Sequence, residues 1–177
     1  KEPVPVRPKM VVMEVLKLLR ASLPTTIEIT QNLLSDSSII VDLTQLHQVL
    51  MNLCTNAAHA MREEGGTLSV SLEDVDLGAE FVAGRTGMAP GRHLLLTVGD
   101  TGHGMTPETA DRIFDPFFTT KPKEEGTGMG LSVVHGIVRE CGGAIAVESS
   151  SGEGTVFRLF FPVAAEKEVE ADAAPEE

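Results

Sequence analysis

The sequence predicts an α/β two-layer sandwich, a mixed β-sheet with helices packed on one face. Two observations carry that expectation. Segments of period-two alternation are interleaved with segments of helical period. The chain then closes on two strand-like runs separated by Ser150-Ser151-Gly152-Glu153-Gly154, which places an antiparallel hairpin at its end.

The elements follow in order. Residues 3–8 hold three prolines and are extended. Residues 10–20 carry Val11, Val12, Val15, Leu16, Leu18 and Leu19 at helical spacing, and Pro24 stops that helix. Residues 26–31 and 38–42 are short strands. The clearest helix spans residues 44–62, with Leu46, Val49, Leu50, Leu53, Ala57, Ala60 and Met61 on one apolar stripe and Gly65-Gly66 after its end. Leu68, Val70 and Leu72 alternate with Ser69 and Ser71 in a strand over residues 67–72. Residues 78–91 hold four glycines and a proline and read as a loop. Residues 93–98 form a buried strand. Thr106-Pro107 starts a helix reaching about Phe114, with a cap residue and then proline at the first position. A helix over residues 131–141 ends at Gly142-Gly143, and strands at 144–148 and 155–161 complete the fold. There is no internal repeat.

The chain has 177 residues, enough for one domain with a real core and too few for two. Residues 1–163 are read as that domain, and residues 164–177, composed of Ala, Glu, Asp, Lys, Val and Pro, as an acidic disordered tail or linker. With neither Trp nor Tyr, the core rests on aliphatic residues, Met and seven Phe. A net charge of −12 argues against binding to nucleic acid or anionic membranes. Cys54 and Cys141 lie far apart among apolar residues without metal-ligand spacing, as expected of two buried thiols in a reducing cytoplasm. No apolar run reaches the roughly 18 residues needed to span a membrane, and no signal peptide is present. The chain begins at Lys1, which suits a fragment of a longer protein whose own membrane anchor would lie elsewhere.

Three features carry chemistry. On the helix of residues 44–62, at about 100° per residue, Asn52, Asn56 and His59 share one narrow stripe, continued backwards by Gln48 and Gln45. An Asn carbonyl oxygen is a good Mg²⁺ ligand when substrate phosphates supply the other oxygens; the same stripe would equally suit a solvated face. Asp100-Thr101-Gly102-His103-Gly104-Met105 follows a buried strand, its glycines permitting close backbone approach and its Asp able to accept from an exocyclic amine. Gly126-Thr127-Gly128-Met129-Gly130-Leu131 precedes a helix, where backbone N–H groups and the helix dipole suit phosphate. This is neither a P-loop nor a Rossmann fingerprint. Between these glycine boxes, Phe117 and Phe118 look like anchors for a segment that folds over a ligand, with Lys121 as a cation for phosphate.

These pieces, in this order, resemble the GHKL ATP-binding superfamily, and within it the catalytic domain of histidine kinases. The asparagine box runs over residues 47–60, the first glycine box over 100–104, the phenylalanine box over 111–118 and the second glycine box over 126–131; the closing Gly152-Glu153-Gly154-Thr155-Val156-Phe157 also matches. The resemblance covers residues 4–163. It implies a Bergerat-type ATP-binding fold with ATP and Mg²⁺ as cofactors. Asn56 would be the Mg²⁺ ligand, with Asn52 beside the metal and phosphates. Asp100 would accept from the adenine amine in a pocket shaped by Gly102, Gly104 and Met105, with Thr155 supporting that contact through water. Residues 106–125 resemble the ATP lid, and Gly126, Gly128 and Gly130 would hinge it. Lys121 is the candidate for the γ-phosphate. His59, Phe117, Thr127, Met129 and Leu131 complete the candidate nucleotide site.

Two departures stand out. Many histidine kinases have Lys where His59 stands, which makes charge compensation there weaker or pH-dependent. The strand-to-helix turn that often reads Asp-Pro is here Asp42-Leu43. ATP-hydrolysing relatives carry a Glu one helical turn before the metal Asn, as general base for water. Here that position is Asn52, which cannot take a proton. The expected activity is therefore transfer of the γ-phosphoryl group to a histidine on a separate dimerisation domain, with a response regulator receiver domain downstream. None of His47, His59, His93, His103 or His135 is expected to be the phospho-acceptor, and this segment alone is expected to be monomeric. An anti-sigma-type serine kinase and a non-catalytic nucleotide-binding scaffold are the alternatives.

Overall fold

The computed structural model describes residues 2–115 and 130–165. The first strand, β1 (Val4–Val6), leads into helix α1 (Pro8–Ser22), then strands β2 (Ile27–Leu33) and β3 (Ile39–Val41), helix α2 (Leu43–Ala60) and strand β4 (Gly66–Leu77). A short helix α3 (Ala79–Val82) precedes β5 (Gly91–Asp100), and α4 (Pro107–Ala110) follows it. Helix α5 (Gly130–Glu140) and the hairpin β6 (Ala144–Ser150) and β7 (Gly154–Pro162) complete the described chain. A five-stranded sheet has the order β2-β4-β5-β7-β6, with β2 parallel to β4 and all other neighbours antiparallel. The mixed sheet expected from the sequence is therefore present. The extended N-terminal segment pairs β1 with β3 in a separate two-stranded ladder.

Alternation decides which side of the sheet faces the helices. Leu68, Val70 and Leu72 of β4, Leu94, Leu96 and Val98 of β5, and Phe157, Leu159 and Phe161 of β7 belong to one buried cluster. Val11, Val12, Val15, Leu16 and Leu19 of α1, Leu46, Val49, Leu50 and Leu53 of α2, and Val134, Ile137 and Val138 of α5 complete it. The other face is largely polar, with Thr30 hydrogen-bonded to Ser69 and Arg158 paired with Glu148 at 2.9 Å. At one end, among the described residues, that face is covered where Phe81, Val82 and Met88 pack over Leu77, Leu95 and Phe160. A one-residue slip of β7 would turn Phe157, Leu159 and Phe161 to water, so the apolar pattern holds the register.

Local chemistry sets the helix ends. Pro8 occupies the first turn of α1, two residues earlier than the periodicity indicated. Asp42 caps α2, accepting from Thr44 N at 2.8 Å and Gln45 N at 3.2 Å, so the Asp42-Leu43 turn starts the helix without a proline. Thr106 caps α4 in the same way, but that helix ends at Ala110 rather than near Phe114. Turns from Arg112 N to Thr109 O and from Asp115 N to Arg112 O follow, and they swing Ile113 and Phe114 onto the core. The loop over residues 78–91 contains α3, and β4 and β5 run several residues beyond their expected ends because they pair with each other throughout, from Leu68↔Asp100 to Leu77↔Gly91. Cys54 is fully buried, but Cys141 is only half-buried at the end of α5. Ala164 N still donates to Ser38 O at 2.7 Å, so the residue expected to open the tail is tied to the fold.

Leu159 lies fully buried at the centre of the sheet's inner face. Leu159→Ala is expected to cost about 3 kcal/mol through lost burial and a residual cavity. Chemical denaturation should show a lower midpoint with an unchanged slope.

Candidate nucleotide-binding site

From Leu94 to Val98 in β5 and from Phe161 to Phe157 in β7 the inward side chains are apolar; the last row across the sheet is Ile29–Leu68–Asp100–Thr155–Ser149. In that row the side chains change from aliphatic to polar midway across. Asp100 is therefore the final inward residue of β5 rather than a loop residue, and it continues the positions of Leu94, Leu96 and Val98. Asp100 and Thr155 are both buried, at 8% and 5% exposure, so a carboxyl and a hydroxyl stand opposite one another at the edge of the core.

The first glycine box is clamped from two sides. On one side His103 N donates to Ala60 O at the end of α2, and a Cβ on Gly102 would lie 2.6 Å from that same Ala60 oxygen. On the other side Gly152 N donates to His103 O at 2.6 Å. Gly104 has φ +68°, and a Cβ there would run into the Ser150 carbonyl. The close approach that these two glycines permit is thus backbone against backbone within the protein. The box holds the Asp100 loop against α2 and the hairpin turn. Met105 is half-buried against the core, and its N–H donates to Ser149 Oγ at 2.8 Å.

Helix α2 ends against this loop at Ala60. Asn52, Asn56 and His59 are all half-buried, whereas Gln48 is exposed and His47 lies 3.6 Å from Glu14 of α1. Asn52 Nδ2 donates to Gly130 O at 3.1 Å, which joins the middle of α2 to the first turn of α5. That bond uses one of the two amide hydrogens and fixes the orientation of the group, with Oδ1 as the acceptor end. Leu131 packs its side chain onto the core one residue further on. The described structure thus brings Asn52 together with Gly130, the end of α2 beyond His59 together with Gly102, and Asp100 together with Thr155. Phe117, Lys121, Gly126, Thr127, Gly128 and Met129 lie outside the described residues. The aromatic anchor that is described is Phe114, whose ring centroid is 5.1 Å from that of His135 and 6.5 Å from that of Phe157.

Ser149 was missed by sequence reading. Its Oγ contacts Met105 N at 2.8 Å, Gly154 O at 3.1 Å and Thr155 Oγ1 at 2.8 Å. The signal was available, since Ile145 and Val147 alternate inward and Ser149 is the next position of that period. Ending the strand at Glu148 hid it.

Burial pushes the Asp100 carboxyl above the ordinary range, opposed by N–H donation from Gly102 and Thr155 and by the nearby His103. A carboxyl whose folded pKa exceeds its unfolded value binds its proton more tightly when folded. Its contribution to stability therefore falls as pH rises through that interval. Compared with Asp100→Asn, the ligand-free wild type is expected to lose relative stability as pH rises from about 3 to about 7, starting near the unfolded Asp pKa of about 3.9. Denaturant midpoints of both proteins across that range check the slope; parallel curves would contradict it.

A family model described as histidine kinase-, DNA gyrase B-, and HSP90-like ATPase matches residues 41–165. The sensor kinase CckA of Brucella abortus is 39% identical over 134 residues, 76% of this chain and 14% of CckA. Sensor histidine kinase ZraS of Salmonella typhimurium is 39% identical over 130 residues, 73% of this chain and 24% of ZraS. The chain thus spans a quarter or less of the length of these curated relatives. Among solved structures, a nucleotide-free form of the catalytic domain of histidine kinase ThkA matches with TM-score 0.73 and 28% identity, covering 92% of this chain and 96% of that one. Full-length ShkA in complex with AMPPNP matches with TM-score 0.68 and 27% identity, covering 92% of this chain and 31% of ShkA. Fold, ordered motifs and these likenesses agree: the chain belongs to the histidine kinase-, DNA gyrase B- and HSP90-like ATPase family, as an ATP-binding catalytic domain of the sensor histidine kinase type.

Proposed function

We propose that this domain binds Mg-ATP between α2, the Asp100 loop and the start of α5, and donates the γ-phosphoryl group to a histidine on a separate dimerisation domain. The observation that carries this reading is the buried Asp100–Thr155 pair at the polar end of the sheet, beside a half-buried amide wall on α2. A buried carboxylate is a hydrogen-bond acceptor suited to the adenine amine, and AMPPNP in the related ShkA supports a nucleotide of this class.

The donor chemistry fits the metal. Among the described residues no group of three His, Cys, Asp or Glu side chains could hold a metal ion. A hard cation would rest instead on Asn oxygen and on nucleotide phosphates, the usual arrangement for Mg²⁺. Asn56 is the proposed ligand, with the acceptor end of Asn52 beside it. Mg²⁺ supplies charge neutralisation on the phosphates when bound. Phe117, Lys121, Gly126, Thr127, Gly128 and Met129 are proposed to complete the phosphate side with Gly130 and Leu131. His59 stands where it would add a titratable positive charge.

Asn52 offers no base to activate water, which disfavours hydrolysis. An acceptor imidazole needs none: its neutral nitrogen attacks the γ-phosphorus, the bond to the β-phosphate oxygen breaks, and ADP leaves. The domain's share of the work is alignment and electrostatics. The acceptor hairpin and a receiver domain are the proposed partners, residues 1–163 the proposed functional unit, residues 164–177 a tail or linker, and the cytoplasm the proposed site of action. No helix among the described residues is long and apolar enough to cross a membrane.

Calorimetric titration with AMPPNP, with and without Mg²⁺, is the direct test. Binding should require Mg²⁺ for full affinity and weaken at least ten-fold in Asn56→Ala and Asp100→Ala. Absence of binding to folded wild type would overturn this reading and leave the fold without its nucleotide. Incubated alone with ATP, the chain should acquire no acid-labile, alkali-stable phosphate, and should label a histidine hairpin supplied in trans.

A further inference from the structure

Ser149 Oγ makes three contacts with a single hydrogen to give. Met105 N can only donate to it, and Gly154 O can only accept from it. If the Ser149 hydrogen goes to Gly154 O, the remaining contact at 2.8 Å is satisfied only by Thr155 donating its own hydroxyl hydrogen to Ser149. Thr155 Oγ1 is then left with lone pairs and no hydrogen to offer elsewhere. Opposite Thr155 across the ladder stands the Asp100 carboxyl, also an acceptor.

We infer that Ser149 is a positioning residue for base selection: it holds the Thr155 hydroxyl as an acceptor, so that Thr155 and Asp100 together form a wall that accepts hydrogen bonds. Such a wall favours a purine bearing an exocyclic amine and disfavours one bearing an oxo group in its place, because two acceptors facing each other across a buried site are left unpaired. Ser149 itself does not touch the base. It also joins the segment after the first glycine box to the closing hairpin through Met105 and Gly154, so the two parts of the base pocket share one hydroxyl. The inference rests on the Mg-ATP reading above, and deepens it by naming a residue behind the base contact that sets the contact's selectivity.

The test compares affinities for ATP and inosine triphosphate, both with Mg²⁺, by calorimetry on the folded chain. Wild type should prefer ATP. Ser149→Ala should reduce that preference about five-fold, the weight of one net hydrogen bond, chiefly by weakening ATP. Ser149→Thr, which keeps the hydroxyl, should restore it. In the Thr155→Val background, Ser149→Ala should change the preference no further, because the two residues act as one unit. Ser149→Cys fills the same volume with a poor hydrogen-bonding group, and must show the same loss as alanine; it carries the test if the alanine variant is unfolded by circular dichroism. An unchanged preference overturns the inference. Equal weakening of both nucleotides also overturns it, since that would mark Ser149 as a prop for the loop and nothing more. Wild type that binds neither nucleotide would instead overturn the underlying nucleotide-binding reading.

Discussion

The row of inward side chains at one end of the sheet, Ile29–Leu68–Asp100–Thr155–Ser149, turns polar midway, and the arrangement of the candidate site follows from that change. Asp100 and Thr155 are buried there, one row beyond the apolar Val98 and Phe157 of the same strands. A carboxyl placed at the edge of a packed core meets a poorly solvating environment, and burial raises its affinity for a proton, opposed by N–H donation from Gly102 and Thr155 and by the nearby His103.

Around that row, the surrounding backbone is packed unusually tightly. Gly102 lies against Ala60 at the end of α2, and Gly104 lies against Ser150 in the hairpin. These contacts tie together segments far apart in the chain, holding the end of α2 and the closing hairpin against the loop that follows β5. Further back along α2, Asn52 binds the first carbonyl of α5. A small side chain added at either glycine would separate these segments.

The chemistry proposed for the site asks little of the domain by way of proton transfer. The absence of a carboxylate at position 52 and the presence of an amide held by its nitrogen fit a domain that aligns and neutralises a phosphoryl group for an external nucleophile. All five histidines lie within the described residues. His47 lies by Glu14, His103 contacts Gly104 O, His135 stacks on Phe114, His93 is buried in β5, and His59 ends the amide wall.

Much was legible in the chain itself. Period-two and helical alternation located every long element, because burial on one face imposes that spacing on any strand or helix. The asparagine stripe and the first glycine box were readable as chemistry because Asn52, Asn56, Asp100 and the glycines sit close together in sequence within each motif. Element ends were read less well. Pairing partners decide how far β4, β5 and β6 extend, and no residue of a strand announces its partner. For the same reason Asp100 looked like a loop residue and Ser149 was passed over. Local pattern was enough for the mixed sheet with helices on one face and for the order of the motifs. It took the folded chain to show that Gly102 and Gly104 press against Ala60 and Ser150, that Asn52 is tied to Gly130, and that Ser149 contacts Thr155 opposite Asp100. Those are contacts between segments remote in the chain, set by ladder register and close packing, and local pattern carries no record of them.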